Sequence, residues 1–243
     1  MARKTFFMRG CQAVDRNKKT YEEKAQETKQ HSARLAEMQR YVDMSEEKRN
    51  CLLDLVLNGK SSDSDETLLE KGVIVYIEFL DVIKQVAEDL EEKGIDVSVI
   101  QGSTKEKDRG SIAKDFKENP NSKVVLISNA AGESLNLNGT NELILYDLPK
   151  GWGKYMQILG RAVRSFSRFE GGSFYIHYII TEDTLDVYKP ILLSSKKQLE
   201  EDILHADTIN LKGTGSFDAE LLKKIRKDML WKEKEKRKAK KSS

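Results

Sequence analysis

Two arginines in the second half of the chain have the chemistry best suited to a phosphate. Arg161 and Arg164 stand in the octapeptide QILGRAVR, at an i, i+3 spacing that puts both side chains on one face of a helix. The planar guanidinium fork matches phosphate oxygens in a way that the point charge of a lysine does not. A solvated basic face at a helix end would show the same spacing. Spacing alone therefore leaves both interpretations open.

The helix that holds these arginines is predicted among short apolar runs that alternate with helical periods. Such alternation predicts an α/β fold, with a mostly parallel sheet and helices on both of its faces. In sheets of this kind ligands bind beyond the carboxyl ends of the strands. That rule selects the loops Gln101–Thr104, Ser128–Ser134 and Asp147–Lys154. The predicted strands are Val73–Tyr76, Val97–Ile100, Val124–Ser128, Leu143–Tyr146 and Phe174–Ile180.

Two further helices are predicted between the strands. Apolar residues recur at helical spacing from Phe79 to Leu90, and Gly94 can close this helix. Ser103 and Glu106 have the S-x-x-E spacing of a capping box, which predicts that a helix starts there. Its buried residues would be Ile112, Ala113 and Phe116.

The ends of the chain have a different texture. The stretch Lys18–Val42 is polar, Glu46–Leu57 is an amphipathic helix, and the following NGKSSDSDE has the composition of a linker. A last helical region is predicted at Glu182–Leu204, and the chain finishes with KEKEKRKAKKSS. We expect a helical amino-terminal extension with its linker at 1–70, one α/β domain at 71–206, and a basic tail, helical or disordered, at 207–243.

Composition limits the class of protein. The 243 residues carry a net charge of +2 with 34% charged residues, so binding to nucleic acid must come from local patches. Cys11 and Cys51 have no Cys or His companions, which favours a reducing compartment and argues against structural zinc. No run of apolar residues is long enough for a membrane span. We expect an intracellular, cytoplasmic protein, or one of the host cytoplasm if its source is viral.

Four segments in order carry a family resemblance. VIVY resembles helicase motif IV, QGST with KDRGSIAKDF resembles the motif IVa region, VVLISNAAGESLNL resembles motif V, and LYDLPKGWGKYMQILGRAVR contains a motif VI. Together they resemble the second RecA-like domain of superfamily 2 helicases, nearest the SNF2-type DNA translocases, over Gly72–Leu204. The resemblance implies a three-layer RecA-like domain and an ATP-dependent motor.

The same resemblance implies roles for individual residues. Arg161 and Arg164 would be arginine fingers on the γ-phosphate, with Gln157 orienting them, and these three form the expected catalytic set. Gly160 would permit close packing, and with Gly132 and Glu133 it forms the expected nucleotide-binding set. Gly132 and Glu133 in motif V would face the nucleotide.

A second implied set would contact the nucleic-acid backbone. Several of its residues have a simpler alternative role. Gly102–Thr104 could only cap a helix, Asn136 could only form a turn, and Trp152 could only pack against its neighbours. The expected nucleic-acid-binding residues are Gly102, Ser103, Thr104, Ser128, Asn129, Asn136 and Trp152.

The sequence also departs from the family pattern. Ser165–Arg168 follows the second arginine where SNF2 proteins usually have a glycine-glutamine pair, and the tetrapeptide YDLP resembles DEAD-box proteins instead. These departures leave DNA and RNA both open as substrates. Asn58–Ser61 imitates the end of a phosphate loop, but Asp54 stands where its first glycine belongs. Asp65–Glu66 likewise lacks the apolar strand that presents a Walker B pair.

We therefore expect half of an ATPase site. ATP with Mg²⁺ would bind only when a first RecA-like domain or chain completes it, DNA would be the partner with RNA as the other candidate, and the chain alone would show negligible hydrolysis. Such a chain would be a fragment, a split-gene product or a natural short protein. One alternative is a stand-alone nucleic-acid-binding adaptor without ATPase activity. Another is an unrelated nucleotide-binding α/β enzyme, although no Gly-rich fingerprint follows the first predicted strand.

Overall fold

The computed structural model describes residues 4–11, 31–119, 121, 123–128, 140–149, 151–164, 173–191 and 193–194, with the backbone alone for 4–11, 31–34 and 161–164. By compactness the chain divides into a unit at Met1–Pro190 and a second at Ile191–Ser243. The architecture below is that of the first unit.

Strands and helices alternate through this unit. The strands are β1 (Lys4–Cys11), β2 (Val73–Tyr76), β3 (Val97–Ile100), β4 (Val124–Ile127), β5 (Glu142–Leu145) and β6 (Phe174–Thr181). The helices are α1 (His31–Asp43), α2 (Glu46–Asn58), α3 (Leu68–Lys71), α4 (Leu80–Glu91), α5 (Glu106–Glu118) and α6 (Trp152–Arg164), and a 3-10 helix lies at Leu185–Tyr188.

The described strands form one parallel sheet in the order β1-β6-β5-β2-β4-β3. The predicted α/β fold is confirmed, and every described strand pair is parallel. β2 lies at the centre, where Tyr76 is in register with Ile127 of β4 and Leu145 of β5. Because the residues of β2, β5 and most of β4 are buried, helices must cover both faces of the sheet.

Strand β1 was not predicted from the sequence. It lies at the sheet edge and pairs with β6 along its whole length, from Lys4 opposite Phe174 to Cys11 opposite Thr181. The sequence shows no periodic signal around these residues, and the sheet was expected to begin after Gly72. The pairing partner is too distant in the sequence for a local pattern to reveal it.

Each face of the sheet has its own helices. The main core joins α2 and α4 to one face, through Leu52, Val56 and Val86 among others. On β6, Ile179 belongs to that core, whereas the hydroxyl of its neighbour Tyr178 contacts Tyr155 of α6 at 2.6 Å. Consecutive strand residues point to opposite faces, so α6 covers the other face. This is the predicted three-layer arrangement.

Local predictions succeeded where the signal was periodic. α2 and α4 agree with their predicted positions within one or two residues, and α6 contains the predicted stretch QILGRAVR. Gly94, at φ +76°, closes α4 with its N–H on the carbonyl of Glu91. The prediction of a capping box at Ser103 is wrong. α5 begins at Glu106 after Lys105, with no side-chain cap, because the residues before it form a separate turn.

Residues 59–71 pack against the amino-terminal edge of the sheet. The buried hydroxyl of Ser61 donates to Glu142 Oε1 at 2.7 Å, and Glu142 Oε2 lies 2.7 Å from His177 Nε2. Lys71 forms an ion pair with Asp63. The segment has the composition of a linker, but its polar groups bind the sheet. The expected domain division at residues 70 and 206 stays a prediction.

Two observations bear on the expected environment. Cys51 in α2 is disulfide-bonded, which differs from the reduced state that the sequence favours. None of the described helices is both long enough and apolar enough to cross a membrane.

Candidate functional site

Helix α6 contains the predicted catalytic residues. Tyr155, Ile158 and Leu159 are buried against the sheet, which fixes the helix, and Gln157 is on the exposed side. Arg161 and Arg164 follow Gln157 at i+4 and i+7, positions that share its face of an α-helix. The side chains of both arginines lie outside the described part of the structure. Their catalytic role stays a prediction.

Gly160 lies on α6 between these residues. A Cβ atom built on Gly160 would meet no described heavy atom within 4 Å. Among the described residues, nothing in this chain packs closely enough to require a glycine there. The close packing predicted for Gly160 is therefore not with any described residue of this chain.

The beginning of α6 is held by aromatic residues. The rings of Trp152 and Tyr155 stack with their centroids 5.2 Å apart, and Tyr155 in turn contacts Tyr178 through its hydroxyl. Burial raises the pKa of both tyrosine hydroxyls, so both remain neutral at physiological pH. Trp152 therefore has a packing role, and its expected contact with nucleic acid stays a prediction.

The predicted backbone-binding turn follows β3 at the carboxyl edge of the sheet. Thr104 N donates to the carbonyl of Gln101 at 3.0 Å, and Gln101 N donates back to Thr104 Oγ1 at 3.0 Å. Gly102 and Ser103 project from this closed turn and are exposed. The turn precedes α5 and does not form its first helical residues, so an anion here would meet a tight turn rather than a helix end.

Arg109 of α5 fixes this turn, and sequence reasoning missed it. Its Nε donates to the carbonyl of Thr104 at 2.8 Å, and Nη2 lies 3.2 Å from the carbonyls of Gln101 and Gly102. With three carbonyls bound to the guanidinium, and the N–H groups of Gln101 and Thr104 used within the turn, an outside acceptor could meet those of the exposed Gly102 and Ser103. The signal that could have found it is an arginine one helical turn inside a helix that follows a Gly-containing loop.

Ser128 and Tyr76 lie at the ends of the neighbouring strands. Ser128 is buried, its N–H donates to the carbonyl of Ile100, and its Oγ has no hydrogen-bond partner among the described residues. The hydroxyl of Tyr76 is also buried without a described partner, and burial together with Glu78 and Asp147 raises its pKa. Ser128 is therefore beneath the surface, beside the Gln101–Thr104 turn.

The structure brings part of the predicted site together. The turn after β3 and Ser128 after β4 are adjacent, and α6 follows β5 on the far side of central β2, with all of these strands ending at the same sheet edge. The motif V predictions Asn129, Gly132, Glu133 and Asn136 lie outside the described residues.

Three buried aspartates nearby are paired with two lysines. Carboxylate oxygens of Asp43, Asp147 and Asp186 lie within 4.8 Å of one another, a spacing that could suit a metal ion. However, Lys48 Nζ is 2.6 Å from both Asp43 Oδ1 and Asp186 Oδ2, and Lys189 forms an ion pair with Asp147. Two ammonium groups therefore already occupy positions among these carboxylates and compensate two of the three charges.

Comparisons with known proteins agree with this geometry. Residues 47–166 match the family model described as "Helicase conserved C-terminal domain". The ATP-dependent RNA helicase FAL1 of Gibberella zeae is 24% identical over 139 residues, which cover 57% of this chain and 33% of that protein. The chain thus spans about a third of the length of the curated relatives it matches.

Solved structures share the fold. The Sulfolobus solfataricus SWI2/SNF2 ATPase C-terminal domain matches with a TM-score of 0.56 at 17% identity, over 83% of this chain and 90% of that one. The S. solfataricus SWI2/SNF2 ATPase core in complex with dsDNA matches with a TM-score of 0.58 at 17% identity, over 82% of this chain and 46% of that one.

Fold and family together define a RecA-like α/β domain of the superfamily 2 helicase class. Residues 47–166 belong to the helicase conserved C-terminal domain family, so the chain contains the second RecA-like domain of such a helicase.

Proposed function

We propose that the chain is the second motor half of an SNF2-like DNA translocase. The observation that supports the proposal is helix α6, which follows β5 and has exposed Gln157 on the same helix face as the positions of Arg161 and Arg164. In this role Arg161 and Arg164 place positive charge against the γ-phosphate. The turn at Gly102–Thr104, braced by Arg109, provides N–H groups to the DNA backbone.

The residues present fit one side of an ATP site. Gly160 leaves open space beside exposed Gln157 among the described atoms, which suits the approach of a second protein surface carrying the nucleotide. Bound ATP with Mg²⁺ would supply the phosphoanhydride bond that is cleaved. This chain's part would be to orient and neutralise the γ-phosphate and to close the site against water.

The sequence elements that imitate a nucleotide site have other roles in the structure. Asn58 is the last residue of α2, and Ser61 is buried on Glu142, so this segment does not form a loop between a strand and a helix. Asp65 and Glu66 precede the short helix α3 and do not follow a strand. A first RecA-like domain would have to supply the phosphate loop.

DNA is the proposed substrate. The support is the fold match to a SWI2/SNF2 ATPase core in complex with dsDNA, together with the SNF2-like motif order, whereas FAL1 is an RNA helicase. Comparing stimulation by duplex DNA and by RNA of equal length tests this choice. Greater stimulation by RNA would replace DNA in the proposal.

Reconstitution tests the motor role. The chain would be mixed with, or fused behind, a first RecA-like domain from an SNF2-type ATPase, and hydrolysis measured with and without DNA. We expect hydrolysis only in the mixture, reduced about 10³-fold or more by Arg161→Ala with Arg164→Ala. Hydrolysis by the isolated chain that survives both substitutions would refute the proposal.

A stand-alone adaptor is the second candidate. The observation that favours it is that the described residues include no phosphate loop. An adaptor would bind nucleic acid with a steep salt dependence, indifferent to ATP and to any first domain. Failure of several first domains to restore hydrolysis, with DNA binding retained, would support it over the motor.

A further inference from the structure

A sealed ionic cluster joins α1, α2, the end of β5 and the 3-10 helix. Its three carboxylates come from Asp43, Asp147 and Asp186, and the side chain of each is at most 4% exposed. Its two ammonium groups are those of Lys48, which is fully buried, and Lys189, whose side chain is 11% exposed. Three carboxylates against two ammonium groups leave one uncompensated negative charge if every group is ionised.

Asp186 has the hydrogen bonds of an ionised carboxylate. Its Oδ1 accepts from Gln39 Nε2 at 2.7 Å, and its Oδ2 accepts from Lys48 Nζ at 2.6 Å and from the N–H of Thr181 at 3.2 Å. Burial alone would raise the pKa of Asp186, but Lys48 and Lys189 lower it below its ordinary value. Both oxygens of Asp186 therefore accept hydrogen bonds, as expected of an ionised carboxylate.

Asp43 is bonded on one oxygen only. Its Oδ1 accepts from Gln39 Nε2 at 2.8 Å and from Lys48 Nζ at 2.6 Å, whereas its buried Oδ2 has no hydrogen-bond partner among the described residues. This asymmetry is what a neutral carboxylic acid shows, with a carbonyl oxygen that accepts and a hydroxyl that must donate.

Asp147 offers the matching acceptor. Its Oδ1 accepts from Lys189 Nζ, and its Oδ2 is buried without a partner among the described residues. Asp43 and Asp147 thus each leave one buried oxygen unpaired, inside a cluster whose carboxylates approach within 4.8 Å. Two ionised carboxylates this close would repel each other at this depth, because water cannot screen them.

We propose that Asp43 is a neutral carboxylic acid whose Oδ2–H donates to Oδ2 of Asp147, so that one buried proton clamps α1 to the segment that leads from β5 into α6. The proton removes the surplus charge and satisfies both unpaired oxygens with one hydrogen bond. Asp147 and Asp186 remain ionised and pair with Lys189 and Lys48.

Other groups around the pair are compatible with this state. The Tyr146 hydroxyl donates to the backbone carbonyl of Asp43, and its ring lies 4.8 Å from Lys48 Nζ. From α2, Arg49 donates to the Met44 carbonyl and pairs with Asp89. Burial lowers the pKa of Lys48, but Asp186, Asp43 and Asp147 raise it, and Asp186 stays beside the ammonium group when Asp43 is neutral. At the end of β2, Tyr76 and Glu78 add no positive charge near Asp147.

The pKa of Asp43 is raised, which is the direction that favours the neutral acid. Burial first, and then the charge of Asp147, raise it to about 8, whereas an aspartate in the unfolded chain has a pKa of about 3.9. At any pH between these two pKa values, folding is therefore accompanied by the uptake of a proton. The stabilisation from this proton is complete below the unfolded pKa and is lost as the pH rises through the folded pKa.

Two isosteric substitutions in the full chain test the proton. Asp43→Asn replaces the acid by an amide that can accept at Oδ1 and donate to Asp147, so the fold should keep its stability at pH 7. Asp186→Asn makes the same chemical change at an ionised position, and should raise the unfolding equilibrium constant by about 100-fold or more. Equal losses from both variants at pH 7 would overturn the proposal.

The pH profile provides the second readout. Between pH 5 and 7 the unfolding constant of the wild type should rise about ten-fold per pH unit relative to that of Asp43→Asn, because one extra proton is bound on folding. A flat ratio would show that Asp43 is ionised. If unfolding is irreversible, infrared spectra decide: a protonated-carboxyl band at pH 7 that disappears in Asp43→Asn supports the proton, and spectra without that band refute it.

Discussion

Arg109 Nε donates to the carbonyl oxygen of Thr104 at 2.8 Å, and this bond fixes the turn Gln101–Thr104 to the beginning of α5. The same guanidinium reaches the carbonyls of Gln101 and Gly102. With all three carbonyls directed at one cation, the arginine determines the shape of the turn proposed to contact a nucleic-acid backbone.

Replacing Arg109 by glutamine should weaken DNA binding by about ten-fold, or about 1.4 kcal/mol, because the turn loses its brace. The measurement is a titration with a fixed duplex at several salt concentrations. If Arg109 acts through the turn, the slope of log affinity against log salt stays unchanged. A slope lower by about one would instead show that Arg109 itself contacts a phosphate.

Lys107→Gln is the matched control. Lys107 is exposed on the same helix, and its substitution removes one positive charge without touching the turn. It should leave affinity within about two-fold at moderate salt. An effect of Lys107→Gln as large as that of Arg109→Gln would mean that general charge, and not the shape of the turn, determines binding.

Gly160→Ala should leave the stability of the isolated chain intact and reduce hydrolysis by the reconstituted mixture. A Cβ there meets no described atom, and alanine favours a helix over glycine by about 0.5 to 1 kcal/mol. The isolated chain should therefore melt at the same temperature or higher. Hydrolysis in the reconstituted mixture should fall, because the added methyl group occupies the space left for the first domain.

Gly110→Ala is the control for that substitution. Gly110 lies in α5, and a Cβ there also meets no described atom within 4 Å. It should stabilise the chain similarly without changing hydrolysis by the mixture. Loss of activity in both variants would remove the case for a docking face on α6.

Glu142→Ala should be strongly destabilising. The carboxylate is fully buried, and its loss removes the hydrogen bonds that Ser61 Oγ and the N–H of Ser62 donate to it, together with its contact with His177. We expect a loss of about 3 to 5 kcal/mol in the free energy of unfolding, measured with urea, and faster proteolysis within residues 59–66. Glu118→Ala on exposed α5 should cost less than about 0.5 kcal/mol. A similar small effect at Glu142 would show that the segment is not anchored by it.

Leu52→Ala and Leu80→Ala compare one substitution at two depths. Leu52 is completely buried between α2 and the sheet, and Leu80 is 56% exposed. The first should lower the free energy of unfolding by about 2 to 5 kcal/mol and the second by less than about 0.5 kcal/mol. Urea denaturation of both variants measures the difference. Equal effects would contradict the assignment of α2 to the core.

The central layers of the fold were predictable because their signals are local. Val73–Tyr76 is a continuous apolar run, and the residues of α4 repeat at helical spacing, so each segment identifies itself. The capping box failed because S-x-x-E is only a spacing. In the structure, Thr104 uses its hydroxyl within the turn, and Lys105 precedes the helix.

The site was only partly predictable for the same reason. The sequence places the arginines on α6, but it does not show that Arg109 holds a turn or that Lys48 lies between Asp43 and Asp186. The last of these contacts joins residues 138 positions apart. Only folding makes them neighbours, and a buried lysine in a polar stretch looks like a solvated one in the sequence.

The pairing of β1 with β6 has a consequence for synthesis of the protein. Lys4 is opposite Phe174, so β1 is synthesised long before the strand with which it pairs. The four strands between Val73 and Leu145 pair among themselves over much shorter separations. Such local pairs form first, and the distant pair carries the larger loop-closure cost. The nascent chain is thus expected to carry its amino-terminal strand unpaired, a state in which chaperones would recognise it.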